Sequence, residues 1–266
     1  MLPYLAQPSL KLGPLTIHAF GALVALAVIV GSAIGKRRAA ALGLRAETLT
    51  SILTWVIVGG FVGGHVLDLL FYEPARAFHD PLALLRVWEG LGSFGGFIGA
   101  IAGAVTYLRW RRVERPWAYV DAIAYGFPFG WIFGRLGCAI AFDHPGLPTD
   151  VFFGERYVDG IVRHNLGLEE AVYTVALAAA FHVLARKPRR EGFFVASLAV
   201  AYAPVRFGLD ALRIADARYF GLTPGQFGSA ALFVFGVVFF LVRLVRRRGV
   251  TPTPRRGVDV PSARSF

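Results

Sequence analysis

Long apolar runs alternate with short polar segments along most of the chain. A sliding window of about 19 residues, the length that crosses a bilayer as a helix, finds seven such runs. They occupy residues 17–35, 49–70, 91–108, 119–141, 168–184, 192–212 and 225–242. The pattern therefore predicts an all-α, polytopic membrane protein with about seven transmembrane helices.

Positive charges follow every second run. Clusters of Lys and Arg lie at residues 36–45, 109–115, 186–190 and 243–248, after the first, third, fifth and seventh runs. Because basic residues near spanning helices stay on the cytoplasmic side, this spacing predicts an N-terminus outside and a cytoplasmic C-terminus. The net charge of +11 is then a topology signal. Nucleic acid is not expected as a partner, since that function needs a basic face on a soluble fold.

Composition divides the chain once, near its end. Residues 249–266 are rich in Pro, Arg and Ser and have little to bury, which predicts a disordered cytoplasmic tail after a single integral membrane domain at residues 1–248. The one cysteine, Cys138, cannot form an intramolecular disulfide, and no cysteine cluster has the spacing of a metal site.

Arg135 stands inside an otherwise apolar run, in the stretch GRLGCAIAFDHPG at residues 134–146. If the fourth helix enters from the cytoplasm near Tyr119, Arg135 lies about 24 Å along it, at a rise of 1.5 Å per residue. Arg206 lies about 21 Å along the sixth run by the same measure. Charges at membrane depth mark functional sites, and too few carboxylates accompany this pair. The two arginines are therefore predicted to bind a phospholipid phosphate in the outer leaflet.

Several polar residues near these arginines have two interpretations. Asp210 and Arg213 share a helix face with Arg206, so all three could form the lipid site, or Asp210 could pair with either arginine while Arg213 extends to the interface. His144, beside Asp143, is the best placed catalytic base, although a loop histidine in solvent is the commoner case.

Glycines recur within the second and third runs. Small residues spaced by four allow helices to pack closely in lipid, which is the commoner reason for them. Gly95 and Gly96, next to an external boundary, could also admit a ligand. His65 and Asp68, three residues apart in the second run, are predicted to be an exposed pair at an external helix end.

Six stretches, in order, resemble the prolipoprotein diacylglyceryl transferase family from residue 12 to about residue 232. GPLTIHAFGAL is similar to the entry of its first span, and VLDLLFY to the end of its second. VWEGLGSFGGFIGAI resembles its WEGG...HGG stretch, and GRLGCAIAFDHPG its GRxGNFxNxExxG signature. RHNLGLEEA is similar to its RHPSQLYEA, and YAPVRFGLDALRIAD, followed by LTPGQ, to its YG..RF..E..R.PD segment.

The resemblance implies a reaction and its participants. The family transfers the diacylglyceryl group of phosphatidylglycerol to the lipobox cysteine thiol of a preprolipoprotein, in the outer leaflet of the bacterial inner membrane. No metal or soluble cofactor is implied. Arg135 and Arg206 match its essential arginines, which would bind the donor phosphate, and its signature glycines correspond to Gly134, Gly137 and Gly146.

Five positions depart from the family pattern. Phe94 replaces its histidine, Cys138 its asparagine and Phe20 its first-span tyrosine, and Asp143 and Asp210 replace glutamates. Two hypotheses therefore stay open. The chain is either a transferase in which His144 has become the base, or an altered paralogue that binds phospholipid or uses a different acceptor.

Overall fold

The computed structural model describes residues 3, 7–12, 15–86, 90, 92–142, 145–214 and 216–245. Its helices are α1 (Ala19–Ala41), α2 (Ala46–Tyr72), α3 (Pro74–His79), α4 (Ser93–Trp110), α5 (Pro116–Ala141), α6 (Leu166–Leu184), α7 (Phe193–Ala211) and α8 (Pro224–Phe239). A 3₁₀ turn covers Pro81–Leu85, and α8 continues as a π-helical turn at Phe240–Val245. The strands are β1 (Ser9–Leu12), β2 (Leu15–His18), β3 (Pro145–Pro148), β4 (Glu155–Arg156) and β5 (Val162–Asn165).

The all-α membrane architecture predicted from the sequence is confirmed. Six helices in the described part of the chain are long and apolar enough to cross a membrane. They correspond to every predicted run except the third. That run forms α4, which has 18 residues but is not among the six. The predicted tail at residues 249–266 lies outside the described residues.

Two small sheets were not predicted. Strands β1 and β2 form an antiparallel hairpin before α1, and β3, β5 and β4 form an antiparallel sheet between α5 and α6. Strands of two to four residues are too short to produce a readable alternation of apolar and polar positions. The second sheet follows the end of α5 and leads into the start of α6, so it fixes the spacing of those two helix ends.

Glycines bring the long helices together in pairs. Helix α4 packs along α2, and α5 packs along α1. A Cβ atom added at Gly63 would lie 2.6 Å from the Gly99 Cα, and one added at Gly126 would lie 2.8 Å from the Gly35 backbone nitrogen. Only glycine permits such an approach. The close packing of the two backbones takes the place of the hydrophobic driving force, which is weak between helices in lipid.

The Gly63→Ala variant should lower thermal stability. The new methyl group would collide with backbone atoms of α4, which cannot move aside as a flexible side chain can. Overpacking of this kind costs about 1–3 kcal/mol. Gly21→Ala, on α1, is the matched control because a Cβ there meets nothing within 4 Å. We expect Gly63→Ala to lower the melting temperature in detergent by several degrees and Gly21→Ala to leave it unchanged or raise it. Equal melting temperatures would contradict the close approach.

His65 corrects one expectation. The sequence predicted an exposed position at a helix end, but its side chain is only 3% exposed. One ring nitrogen lies 2.8 Å from the Ala83 carbonyl oxygen and the other 3.0 Å from that of Gly90. His65 therefore ties α2 to the segment that follows it, and this pairing explains why a polar residue lies at that depth.

Candidate functional site

A buried carboxylate joins the two arginines singled out in the sequence. Arg135, on α5, places its Nε 3.0 Å from Glu170 Oε1, and Arg206, on α7, places its Nη1 2.9 Å from Glu170 Oε2. Glu170 lies in the first turns of α6 and is fully buried, while Arg135 is 3% exposed. Three helices thus meet at one bidentate carboxylate. The structure brings Arg135 and Arg206 together, but through a residue that the sequence reasoning missed.

Two aromatic side chains fix the position of that carboxylate. The Tyr202 hydroxyl donates to Glu170 Oε1, and Trp131 Nε1 lies 3.0 Å from the same oxygen and 2.9 Å from the Tyr202 oxygen. The Arg135 guanidinium also lies over the Trp131 ring, 4.4 Å from its centroid. A buried charge pair is favourable only when further hydrogen bonds satisfy it, and these neighbours supply them.

The charge network continues toward the end of α7. Asp210 Oδ1 lies 2.9 Å from Arg206 Nη2 and 3.0 Å from Arg213 Nε, while Arg213 Nη1 reaches Asp216 Oδ2 at 2.8 Å. The Thr223 hydroxyl donates to Asp210 Oδ2 at 3.1 Å. The pairing of Asp210 with both arginines, one of the two interpretations left open by the sequence, is the arrangement found. Three arginines therefore alternate with three carboxylates in one row.

Arg206 has hydrogen-bonding capacity to spare. An arginine has five N–H donors. Arg206 directs Nη1 to Glu170 and Nη2 to Asp210, and its other N–H groups have no acceptor within the described ranges. Its side chain is 11% exposed. A phosphate oxygen can therefore bind Arg206 without displacing either carboxylate.

Comparison with known proteins decides the family. The model for the family described as prolipoprotein diacylglyceryl transferase matches residues 7–242. The chain belongs to the prolipoprotein diacylglyceryl transferase family. Relatives named phosphatidylglycerol–prolipoprotein diacylglyceryl transferase include those of Nitratidesulfovibrio vulgaris (33% identity, covering 95% of this chain and 97% of the relative), Azospirillum brasilense (32%, 92% and 96%) and Solidesulfovibrio magneticus (31%, 88% and 93%). The protein is thus a transferase-family, multi-pass membrane protein.

Membership in the transferase family shows which signal could have identified Glu170. The stretch RHNLGLEEA and the family's RHPSQLYEA both carry a glutamate immediately before the final alanine. Glu170 occupies that position, and Glu169 stands where the family stretch has tyrosine. Carboxylates are common in the first turn of a helix, so the local sequence alone does not indicate that Glu170 pairs with Arg135.

The three signature glycines of the family lie near the arginine network and have different neighbours. An added Cβ at Gly134 would lie 3.6 Å from the Trp131 ring, and one at Gly137 would lie 3.2 Å from the Phe20 ring. Gly146, in β3, pairs through its backbone with Arg213. It thereby joins the three-stranded sheet to the segment that follows α7. Their assignment to lipid binding remains a prediction.

Two further predicted site residues, Gly95 and Gly96, do not lie in the network. Gly95 and Gly96 face α2, where added Cβ atoms would lie 2.8 Å from the Leu67 Cβ and 3.6 Å from the Gly60 oxygen. These short distances support helix packing, the commoner interpretation, and lipid binding there stays a prediction. Asp143 and His144 lie outside the described residues, so their catalytic roles stay predictions too.

Two of the family departures have defined surroundings. Cys138 lies one turn beyond Arg135 on α5, and its sulfur is 3.7 Å from Arg135 Nη1. Phe94, on α4, packs edge-on against Phe71 at 6.4 Å between ring centroids. Cys138 is thus in contact with the arginine network, whereas Phe94 has replaced a titratable ring by an apolar contact.

An apolar crevice of about 220 Å³ opens beyond the network. It is lined by Pro8, Leu136, Ala139, Ile140, Phe142, Glu155, Asn165 and Leu168. Asn165 caps α6 by accepting the Leu168 N–H at 3.0 Å and donates to the Glu155 carboxylate. Burial raises the pKa of Glu155, and the Asn165 hydrogen bond opposes this shift. The crevice therefore combines apolar walls with one carboxyl group near the end of α5.

Proposed function

We propose that this protein transfers the diacylglyceryl group of phosphatidylglycerol to the cysteine thiol of a prolipoprotein lipobox. The observation that carries the proposal is the nearly full-length match to relatives of that name, and the buried Arg135–Glu170–Arg206 network supports it. An altered paralogue that only binds lipid is not favoured, because the relatives matched over nearly the whole chain are named as the transferase.

The reaction needs positive charge near the phosphate group of the donor, where its C–O bond breaks. The thiolate sulfur attacks the glyceryl carbon, an S–C bond forms, and the C–O bond to phosphate breaks, so that glycerol phosphate leaves with the electron pair. Preorganised cations stabilise the charge that develops on the departing phosphate. Arg206 supplies N–H donors that are available in the described structure, and Arg135 contributes its charge next to Glu170. A base takes the thiol proton, and His144 with Asp143 is the predicted candidate.

The charge distribution supports a location for this step. The basic clusters border α1, α4, α6 and α8 at the ends remote from Arg135. By the positive-inside rule those ends are cytoplasmic, and the arginine network lies in the outer leaflet of the bacterial inner membrane. The crevice beside Glu155 and Asn165 opens at the same outer end, where the apolar residues of a lipobox signal peptide would be accommodated.

The direct test uses purified full-length protein in nanodiscs that contain phosphatidylglycerol. A synthetic peptide with a lipobox cysteine is added, and mass spectrometry detects the added diacylglyceryl group. The same peptide with Ser in place of Cys is the control, and phosphatidylcholine nanodiscs test the donor. Failure of a folded, membrane-inserted protein to modify the cysteine peptide, together with failure to complement a transferase-deficient bacterium, would refute the proposal.

Cys138→Asn should raise activity. Asparagine offers a carbonyl oxygen and an amide group where the thiol offers only weak hydrogen bonding, and the position is one turn from Arg135. We expect the initial rate of peptide lipidation to increase by roughly two- to tenfold, the equivalent of one ordinary hydrogen bond. Cys138→Ala is the control and should leave the rate within about a factor of three, because a thiol sulfur is a weak acceptor for the Arg135 N–H. A rate in Cys138→Asn no higher than in Cys138→Ala would contradict the prediction, and a large loss in both variants would show that the thiol itself is required.

A further inference from the structure

A second, polar cavity lies at the opposite end of the helices from Arg135. It has a volume of about 500 Å³ and lies between the turn that joins α1 to α2 and the turn that joins α4 to α5. It is lined by Gly43, Leu44, Arg45, Thr48, Tyr107, Arg111, Arg112, Val113, Glu114, Arg115 and Tyr119. On α5, Tyr119 precedes Arg135 by a distance of about 24 Å along the axis. The cavity is therefore separate from the arginine network.

Positive charge dominates the lining. Four arginines face one carboxylate, that of Glu114, and Arg115 forms an exposed ion pair with Glu191 outside the cavity at 2.8 Å. Arg45, Arg111 and Arg112 have no ion-pair partner among the residues that the structure describes. Glu47, in the first turn of α2, is the other carboxylate of this region, but it does not line the cavity. An anion between the arginines would relieve their mutual repulsion.

Tyr119 supplies a buried donor without an acceptor. Its side chain is only 4% exposed, and its hydroxyl oxygen accepts the Arg45 N–H at 3.1 Å. For the hydroxyl proton, the described ranges contain no acceptor. The hydroxyl proton is therefore free to donate to an acceptor that enters the cavity. The guanidinium groups around it favour an anionic acceptor.

Two helix N-termini face the same space. Helix α2 begins after Arg45 and α5 begins after Arg115, and neither has a side-chain cap. Free N–H groups and the partial positive charge of a helix start favour negatively charged ligands. Arg112 and Arg115 also adopt left-handed backbone conformations, with φ of 44° and 52°. The turn thus holds several basic side chains around the two helix starts.

We propose that this cavity binds the phosphate group of an anionic phospholipid, in the leaflet opposite to the one in which the transfer takes place. Arg45, Arg111 and Arg112 contact phosphate oxygens, and the Tyr119 hydroxyl donates to one of them. The cavity lies at the ends of α1, α2 and α5, three helices that are long and apolar enough to cross a membrane, and basic pockets in that position are typical sites of acidic lipids. A free phosphate ester has the same recognition chemistry and is distinguished by the test.

The test measures lipid retention by the full-length protein. Delipidated protein is titrated with dioleoylphosphatidylglycerol in detergent, and native mass spectrometry counts the bound lipids. The cavity variants are Tyr119→Phe and the double change Arg111→Gln with Arg112→Gln. The charge-matched control is Lys36→Gln with Arg37→Gln. It removes two exposed cations from the end of α1 that lies near the cavity, but none from the cavity itself. An Arg206→Gln background separates this lipid from one bound at the transfer site, where Arg206 is the proposed phosphate ligand.

We expect the arginine double variant to bind one lipid fewer than the unmodified cavity, and its control to bind the same number, in both backgrounds. Tyr119→Phe should lower the affinity for that lipid by roughly three- to tenfold, the effect of one hydrogen bond. Peptide lipidation shows that the cavity variants are folded where the transfer site is intact, and the melting temperature shows it in the Arg206→Gln background. Competition by millimolar inorganic phosphate against the lipid would assign the site to soluble phosphate esters instead. Equal losses in the double variant and its control, or no loss in either, would overturn the proposal.

Discussion

Arg135→Gln should reduce diacylglyceryl transfer by about 100- to 1,000-fold, the usual effect of removing one preorganised group that stabilises charge in the transition state. The variant keeps an N–H donor but loses the charge that lies 3.0 Å from Glu170. Initial rates of peptide lipidation in phosphatidylglycerol nanodiscs measure the loss. Arg135→Lys should recover only a minor part of it, because an ammonium group cannot bridge the carboxylate and stack on Trp131 as a planar guanidinium does.

Lost stability is the competing explanation for that result, and a second variant separates the two. Breaking a buried ion pair leaves an uncompensated charge and costs about 3–5 kcal/mol. In the double variant Arg135→Gln with Glu170→Gln, both charges are removed, so we expect the melting temperature to return toward that of the unmodified protein. Activity should not return with it. If the double variant regained transfer together with stability, Arg135 would be structural rather than catalytic.

The apolar pattern predicts the helices well because the membrane itself imposes their length. A helix must satisfy its own backbone across the hydrocarbon core, so runs such as 119–141 map almost directly onto helices such as α5. The tendency of α2 and α4 to pack closely was also readable, since each has glycines spaced by four, such as Gly59 with Gly63 and Gly95 with Gly99. What the pattern could not give is which helix pairs with which, because spacing alone does not identify the partner.

The sequence predicted only part of the candidate site, for a different reason. Arg135 and Arg206 stood out because charge is rare in apolar runs, and depth along their helices placed them at one level. Glu170 did not stand out, since it follows Glu169 at a helix start, where acidic residues are common. Its burial depends on α5 and α7 closing over α6, which is a property of tertiary packing. The balanced row of charges therefore emerged only from the assembled helices.

Glu170→Gln should lower kcat at least tenfold while leaving KM for phosphatidylglycerol unchanged or lower. Glutamine can still accept from Tyr202 and Trp131, but it cannot neutralise two guanidinium groups. Both arginines then attract the donor phosphate more strongly in the ground state. The two arginines also lose the fixed orientation that stabilises the transition state. We therefore expect kcat to fall although donor binding does not weaken.

Glu169→Gln is the matched control for that variant. It removes the same charge one residue earlier, from a contact with His164 that includes none of the three arginines of the network, and should change either constant by less than about threefold. A higher KM with unchanged kcat in Glu170→Gln would mean that Glu170 helps to bind the donor instead of positioning the arginines. The division of the effect between kcat and KM therefore distinguishes a positioning carboxylate from one that contacts the lipid.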